Sequence, residues 1–394
     1  MSVQTAAVPQ LTRGRLATFV ASRFVLNAIF RLAYPLVPFL ALRFNVLPQV
    51  ATAIVTVQVA LGLMSLLGGW LGDRIGYRRT MMIGLGCTLT GVVGIITAPV
   101  FAWLLVGYGL CGIGGALYLP AMQAYVSSMT TYEQRGRAIG IVELSWALAG
   151  LLAVPLLMWL VDVQDSIQGA FSILAGCVVL VLVTTYTLMP EEGPRHMHSH
   201  LAQPRFLDVL RQPSVLALCA FLFLVVAGNE ILFVAQAPWA TERFGATPAQ
   251  LGTAAFVFGI GELGGSILST LFTDRLGKLR ASVIGFGLTA IIFVVLPLVS
   301  ATWLSYLGIY TIYGLGIEFA IVAAITLSST VSAHGRGSIM ALAFVAIQVG
   351  RALGSQLGVP VLAAGSLLVN GVVAAAIVLV GVVIAWRGIS ESKH

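Results

Sequence analysis

The chain has 394 residues, of which 59% are hydrophobic and 9% charged, with a net charge of +7 and a mean hydropathy of +1.00. Ordinary soluble domains carry about 25% charged residues and roughly 45–50% apolar ones, so no water-facing surface can be built from this composition. The apolar runs are continuous and longer than the roughly ten-residue alternating strands of an outer-membrane barrel, which leaves a polytopic helical membrane protein.

The first helix is expected over 16–42, after a polar N-terminus that ends at Arg15, with no small-residue cleavage site behind it. Further spans are expected at 48–71, 80–99, 101–129, 138–161 and 168–189. A stretch rich in Pro, His and charge follows, 190–213, and reads as a cytoplasmic linker. Six more spans are expected at 214–240, 249–272, 281–300, 302–328, 339–364 and 366–387. The fold class is therefore all-α, with 12 transmembrane helices in two six-helix bundles, 1–189 and 214–394. With both termini cytoplasmic, all but five of the 21 basic residues lie inside. Arg43 and Arg243 are outside, and Arg23, Arg31 and Arg351 are within helices. That asymmetry sets the orientation and accounts for much of the positive charge without nucleic acid as a partner. Trp103, Trp159, Trp239, Trp303 and Trp386 fall near helix ends, as an interfacial aromatic belt requires.

Two decoys carry no function. Gly107-Tyr-Gly-Leu-Cys-Gly112 fits a dinucleotide fingerprint but lies inside an apolar helix, where small residues serve helix packing. His196-Met-His-Ser-His200 is read as solvated linker, and Cys87, Cys111, Cys177 and Cys219 as buried apolar residues, so neither metal nor cofactor is expected.

The charged turn Gly69-Trp-Leu-Gly-Asp-Arg-Ile-Gly-Tyr-Arg-Arg79 returns as Leu271-Phe-Thr-Asp-Arg-Leu-Gly-Lys-Leu-Arg280. Asp73, Arg74, Gly76, Arg79 and Gly84 match Asp274, Arg275, Gly277, Arg280 and Gly285 at a constant offset of 201. Ala147–Leu157 likewise aligns with Ala352–Leu362. Six helices per repeat make the repeat parallel, the arrangement of transporters that hold substrate between two bundles.

These motifs resemble the major facilitator superfamily, whose signature between helices two and three is Gly-x-Leu-Ala-Asp-Arg-x-Gly-Arg-Arg. Gly69, Leu71, Asp73, Arg74, Gly76 and Arg78 match it, with Gly72 in place of the alanine and Tyr77 in place of one basic residue. The Glu133-Gln-Arg-Gly-Arg137 turn and its echo His334-Gly-Arg336 are similar too, and the resemblance covers the whole chain. It implies alternating access, with Asp73 and its neighbours as a cytoplasmic gate that meets the start of helix eleven and a basic residue such as Arg137. The twelve-helix form without a large loop looks most like the drug and metabolite exporters. Tyr108 stands where those exporters carry an arginine, and helix five has only Gly150 and Pro155 of their glycine-proline pattern.

Ionisable groups at membrane depth cost about 2.5–3.5 kcal/mol each on insertion scales and are suspects for function. Arg23, Asn27 and Arg31 recur every four residues and form one polar stripe on helix one. Arg23 snorkels or faces the cavity; Arg31 either binds an anionic substrate group or pairs with a buried glutamate. Asn229 and Glu230 lie mid-way along helix seven, and Glu318 in helix ten, both cavity helices in the resembling fold. Desolvation favours a neutral carboxyl and a nearby guanidinium an ionised one, which is what proton coupling needs. Glu262 sits among glycines in helix eight, and Arg351 lies mid-helix eleven with Gln348 on its face; depth alone allows a Glu262–Arg351 pair. Glu143, with Trp146 one turn on, is read as a cavity or gate residue near the cytoplasmic end.

The expected function is secondary transport by alternating access, as proton-coupled efflux of amphipathic or hydrophobic small molecules, by a monomer in the bacterial inner membrane. The alternatives are a carrier of anionic metabolites or organic acids that uses Arg31, and a non-transporting sensor or assembly factor on the same fold. No enzymatic activity is expected.

Overall fold

A computed structural model describes residues 11–130, 132–190, 212–328, 331 and 336–389. All twelve expected spans are helical. The first half holds α1 (Arg13–Arg43), α2 in three pieces (Pro48–Ala51, Ala53–Gly62 and Ser65–Ile75), α3 (Tyr77–Ile96) and α4 (Phe101–Ser128). It continues with α5 (Tyr132–Leu148, Ala149–Ala153 and Val154–Gln164) and α6 (Gln168–Leu188). The second half holds α7 (Pro213–Phe244), α8 (Pro248–Leu276), α9 (Lys278–Val299), α10 (Trp303–Ser328), α11 (Arg336–Ala364) and α12 (Leu367–Gly388). Among the described residues, eleven helices are long and apolar enough to cross a membrane, and α2, bent by 47°, makes the twelfth. No strand forms among these residues. Most of the expected linker, 191–211, with its histidine tract, lies outside the described residues.

The internal repeat is visible in the backbone. Gly76 has φ 93 and ψ 145, and Gly277 has φ 85 and ψ 140. Each closes the helix before the charged turn and opens the next one. A side chain at either position would meet the steric penalty of the left-handed region, so glycine is required in both copies.

Within each half, α3 packs on α4 and α9 on α10, while α7 packs against α11 and α12. Gly350, Gly354 and Gly358 form a stripe on α11 whose added Cβ atoms would lie 2.4–2.5 Å from the carbonyl oxygens of Phe223, Ala227 and Ile231. Small residues at this spacing let two helix backbones touch, the main source of helix association where lipid is as apolar as leucine. The decoy glycines act in the same way: Gly107 meets Gly91 on α3 and Gly112 meets Gln58 on α2.

The two halves join along α2 against α11 and α5 against α8. Their side-chain contacts run from mid-depth to the end opposite the termini. Thr56 and Ser355 hydroxyls lie 2.8 Å apart, and Thr247 Oγ1 donates to Asp162 Oδ2 at 3.3 Å. Trp103, Trp159 and Trp386 are exposed at helix ends, as a belt requires. Trp239 and Trp303 are not: both pack into a ring cluster with Phe244 and Tyr306, because α7 and α10 converge there.

Candidate functional site: a buried charge cluster between the halves

The polar stripe of α1 is the spine of the site. Arg23 donates to Asn27 Oδ1 at 3.1 Å and pairs with Glu143 Oε2 on α5 at 3.3 Å. Asn27 donates to Ser145 Oγ at 3.2 Å. Arg23 therefore stays inside the bundle instead of reaching for the membrane surface, and Glu143, with 41% of its side chain exposed, is its partner.

Two turns up the helix, Arg31 crosses to the other half. Its Nη1 donates to Glu262 Oε1 at 3.0 Å and its Nη2 to Glu262 Oε2 at 2.6 Å, a two-pronged pair on α8. Trp146 Nε1 also donates to Glu262 Oε1 at 3.3 Å, and its ring centroid lies 4.8 Å from the Arg31 guanidinium carbon. The chain makes room for this arginine. Pro155 has no N–H to bond the carbonyl of Leu151, and α5 widens into a π-helical turn over Ala149–Ala153. Within it Gly150 faces Arg31 so closely that an added Cβ would lie 2.7 Å from Nη2.

One turn further on, Tyr34 on α1 donates to Glu230 Oε2 on α7 at 3.1 Å. Arg351 on α11 brings its Nε to 2.9 Å from Glu230 Oε1. The Nε proton is not aimed at that oxygen, so the contact is ionic without being a hydrogen bond. The α11 glycine stripe is what brings the two together, since an added Cβ on Gly354 would lie 2.7 Å from Glu230 Cβ. The pair that depth alone allowed, Glu262 with Arg351, does not form. Glu262 goes to Arg31 and Glu230 to Arg351 instead.

Glu318 on α10 is half-buried and has neither an ion pair nor a hydrogen bond among the described residues. It lies within the electrostatic reach of Glu262 and Arg31. Gly265, one turn below Glu262, permits the approach: its added Cβ would be 3.0 Å from Glu318 Cβ. Asn229 accepts from Tyr313 OH at 2.7 Å, on the outer side of the same cluster. Gln236 folds back onto its own helix, to Leu232 O at 3.3 Å. Tyr108 points away from the cluster, fully buried with its ring edge on Phe171 of α6.

Beside the cluster is a cavity of about 160 Å³ between α1, α2, α4, α5 and α11. Arg23, Asn27, Gln58, Trp146, Gln348 and Arg351 supply its polar lining together with the hydroxyls of Ser65 and Thr88, and none of its lining residues is a carboxylate. Tyr34 and Gln58 were not singled out from sequence. Tyr34 continues the stripe at Arg31 by three residues, a signal that was present; Gln58 had none beyond its polarity in an apolar run.

The expected gate residues lie at the other end of the molecule from the sealed contacts. Asp73, Arg74, Arg79, Arg137, Asp274 and Arg275 are exposed, with Gly69 at the surface and Gly76 buried in the turn. Asp73 accepts from Tyr77 OH at 2.8 Å, and Arg74 lies 4.0 Å over the Trp70 ring. The side chains of 132–136 and 336–338, where the gate's partners were expected, lie outside the described residues.

The chain is similar to a Bacillus subtilis (strain 168) protein described as "Uncharacterized MFS-type transporter YceJ", 25% identical over 352 residues that cover 87% of this chain and 88% of that one. It is also 25% identical to "Multidrug resistance protein MdtH" of Salmonella typhi, over 49% of this chain and 52% of that one. Among solved structures, a D-xylose-proton symporter superposes with a TM-score of 0.78 at 16% identity, over 96% of this chain and 98% of the other, which is a likeness of fold. The Major Facilitator Superfamily profile matches residues 19–355 and 218–394. Matched from α1 to the end of the chain, with twelve spans and a duplicated charged turn, this integral membrane protein belongs to the Major Facilitator Superfamily and is a transporter, not an enzyme.

Proposed function

We propose that this protein exports amphipathic or hydrophobic small molecules in exchange for protons, by alternating access, as a monomer in the inner membrane of a bacterium. Its two halves, 1–189 and 214–394, are proposed to rock about the central cluster. The carrying observation is the bridge from Arg31 to Glu262, between the halves, with Glu318 unpaired beside it. Arg31 is paired with Glu262 alone, and Glu318 lies within the electrostatic reach of both. A proton on either carboxylate, or a cargo that engages Arg31, changes how firmly α1 is held to α8. Proton and cargo therefore compete through the same charges, which is the requirement for exchange.

With the termini in the cytoplasm, as the basic residues direct, the sealed end is the outer one and the arrangement is inward-open. The opposite state would close Asp73 and its neighbours against the start of α11. The relationship to a multidrug resistance protein supports efflux, and the fold shared with a proton symporter supports a proton as the coupling ion. An organic-acid carrier centred on Arg31 is the weaker reading, because both Nη groups of Arg31 already serve Glu262.

The test is flux in proteoliposomes under an imposed pH gradient, with a hydrophobic fluorescent cargo. Wild-type protein should accumulate cargo against its gradient. Glu318→Gln should lose gradient-driven accumulation while keeping downhill exchange. Full pH-driven transport by Glu318→Gln would remove that residue from coupling.

A further inference from the structure

The three arginines buried among the helices are not used alike. Arg31 spends both Nη groups on Glu262, and Arg23 spends its own on Asn27 and Glu143. Arg351 approaches Glu230 through Nε, and no described residue accepts a hydrogen bond from its Nη groups. Its side chain is 24% exposed, although it lies mid-helix, and the space it faces is the 160 Å³ cavity. A guanidinium whose flat outer edge is free, in a low-dielectric pocket, is built for a two-pronged bond to a carboxylate. It stands 5.5 Å from the ring centroid of Phe30, which holds the planar group in place.

The remaining lining narrows the guest. No carboxylate is among the lining residues, so a cation finds no counter-charge in the lining; Arg23, which also lines the cavity, is paired with Glu143. Phe30 and Trp146 are the aromatic residues of the lining and suit an aromatic body. Gln58 is 4% exposed and its Oε1 has no donor among the described residues, so the site has a buried acceptor that a ligand hydroxyl or N–H would satisfy. At about 160 Å³ the cavity is below the ~300–1,000 Å³ of sites for drug-sized ligands.

We infer that this cavity binds a small aromatic carboxylate bearing a hydroxyl, with Arg351 holding the carboxylate and Gln58 accepting from the hydroxyl. This rests on the transport reading above and names the class of cargo for it. The organic-acid chemistry expected of Arg31 thus belongs to Arg351.

The experiment is calorimetric titration of the purified full chain in nanodiscs at neutral pH, with no gradient, using 4-hydroxybenzoate, benzoate, benzamide and benzylamine. The hydroxy acid should bind tightest and benzoate next, with benzamide and benzylamine weaker than either. Arg351→Gln should weaken both acids about thirtyfold or more, the usual consequence of removing one member of a desolvated charge pair. Should that variant fail to fold because Glu230 is left alone, Arg351→Gln with Glu230→Gln removes both charges and should show the same loss. Gln58→Leu should erase the advantage of the hydroxy acid and leave benzoate unchanged. No saturable binding of either acid, equal binding of benzylamine, or undiminished acid binding without Arg351 would overturn the assignment. The two readings separate in proteoliposomes. An acid that binds through Arg351 but is never moved sinks the transport reading and keeps the site. Pumping of neutral or cationic amphiphiles by protein that binds no acid sinks the site and keeps the transport reading.

Discussion

Arg31 and Glu262 carry the clearest prediction at the level of single residues. Breaking a buried pair by removing one partner leaves an unpaired charge and costs about 3–5 kcal/mol. Glu262→Gln or Arg31→Gln should therefore lower thermal stability sharply, measured by unfolding of the purified protein. Exchanging the charges, Arg31→Glu with Glu262→Arg, should recover part of the loss; a double variant no better than the worse single one would rule the pair out. Glu318→Gln is expected to behave differently. That carboxylate has no partner to lose, so its removal should not lower stability while abolishing pH-driven flux. Stability and flux thus separate a structural carboxylate from a coupling one. Which residues would be buried and charged was readable from their positions in apolar runs. Which of them would pair was not. Spacing along a helix gives approximate depth and face, but Arg31, Arg351, Glu230 and Glu262 lie within about a turn of one another, and the choice between two pairings is made by how the helices pack.

Helices were legible to within a few residues, because composition and turn chemistry dictate them. Asp73, Arg74 and Gly76 interrupt an apolar run with charge and a glycine, and the same interruption at Asp274, Arg275 and Gly277 gave away the duplication. The backbone at Gly76 and Gly277 repeats to within a few degrees. Less legible was how one helix deforms to admit a side chain of another. The π-helical turn at Ala149–Ala153 follows from Pro155, yet its purpose appears only once Arg31 is seen against Gly150. Close helix contact was likewise hidden in the α11 glycines until α7 was placed beside them. At this scale the prediction is steric. Gly354→Leu would push a side chain into the Ala227 carbonyl and Glu230 Cβ. Over-packing of a tight contact costs about 1–3 kcal/mol, and separating α7 from α11 also pulls Arg351 from Glu230. Gly69→Leu, where an added Cβ meets nothing within 4 Å, should leave the stability of this arrangement unchanged. Equal losses for the two variants in the same unfolding assay would contradict the close α7–α11 contact.

For the molecule as a whole, the question is what holds the halves in the present arrangement. The side-chain hydrogen bonds between the halves at the end opposite the termini are Thr56 with Ser355 and Thr247 with Asp162, beside close packing of α8 on α5 at Gly252 and Met158. Hydrogen bonds of this kind contribute about 1 kcal/mol each on balance. They are weak enough to be broken in every cycle of the proposed transport, with the ion pairs at mid-depth as its proposed pivot. Removing one seal bond should then shift the balance between the two arrangements by about fivefold without disturbing the fold. The turns at Arg79 and Arg280 are exposed, belong to opposite halves and mark the unsealed end, so spin labels at Arg79→Cys and Arg280→Cys report its closure. Thr56→Val or Asp162→Ala in that labelled background should increase the short-distance population at the expense of the long one. An unchanged distance distribution would mean that the seal does not set the equilibrium, and the ion pairs around Arg31 and Arg351 would have to do so themselves.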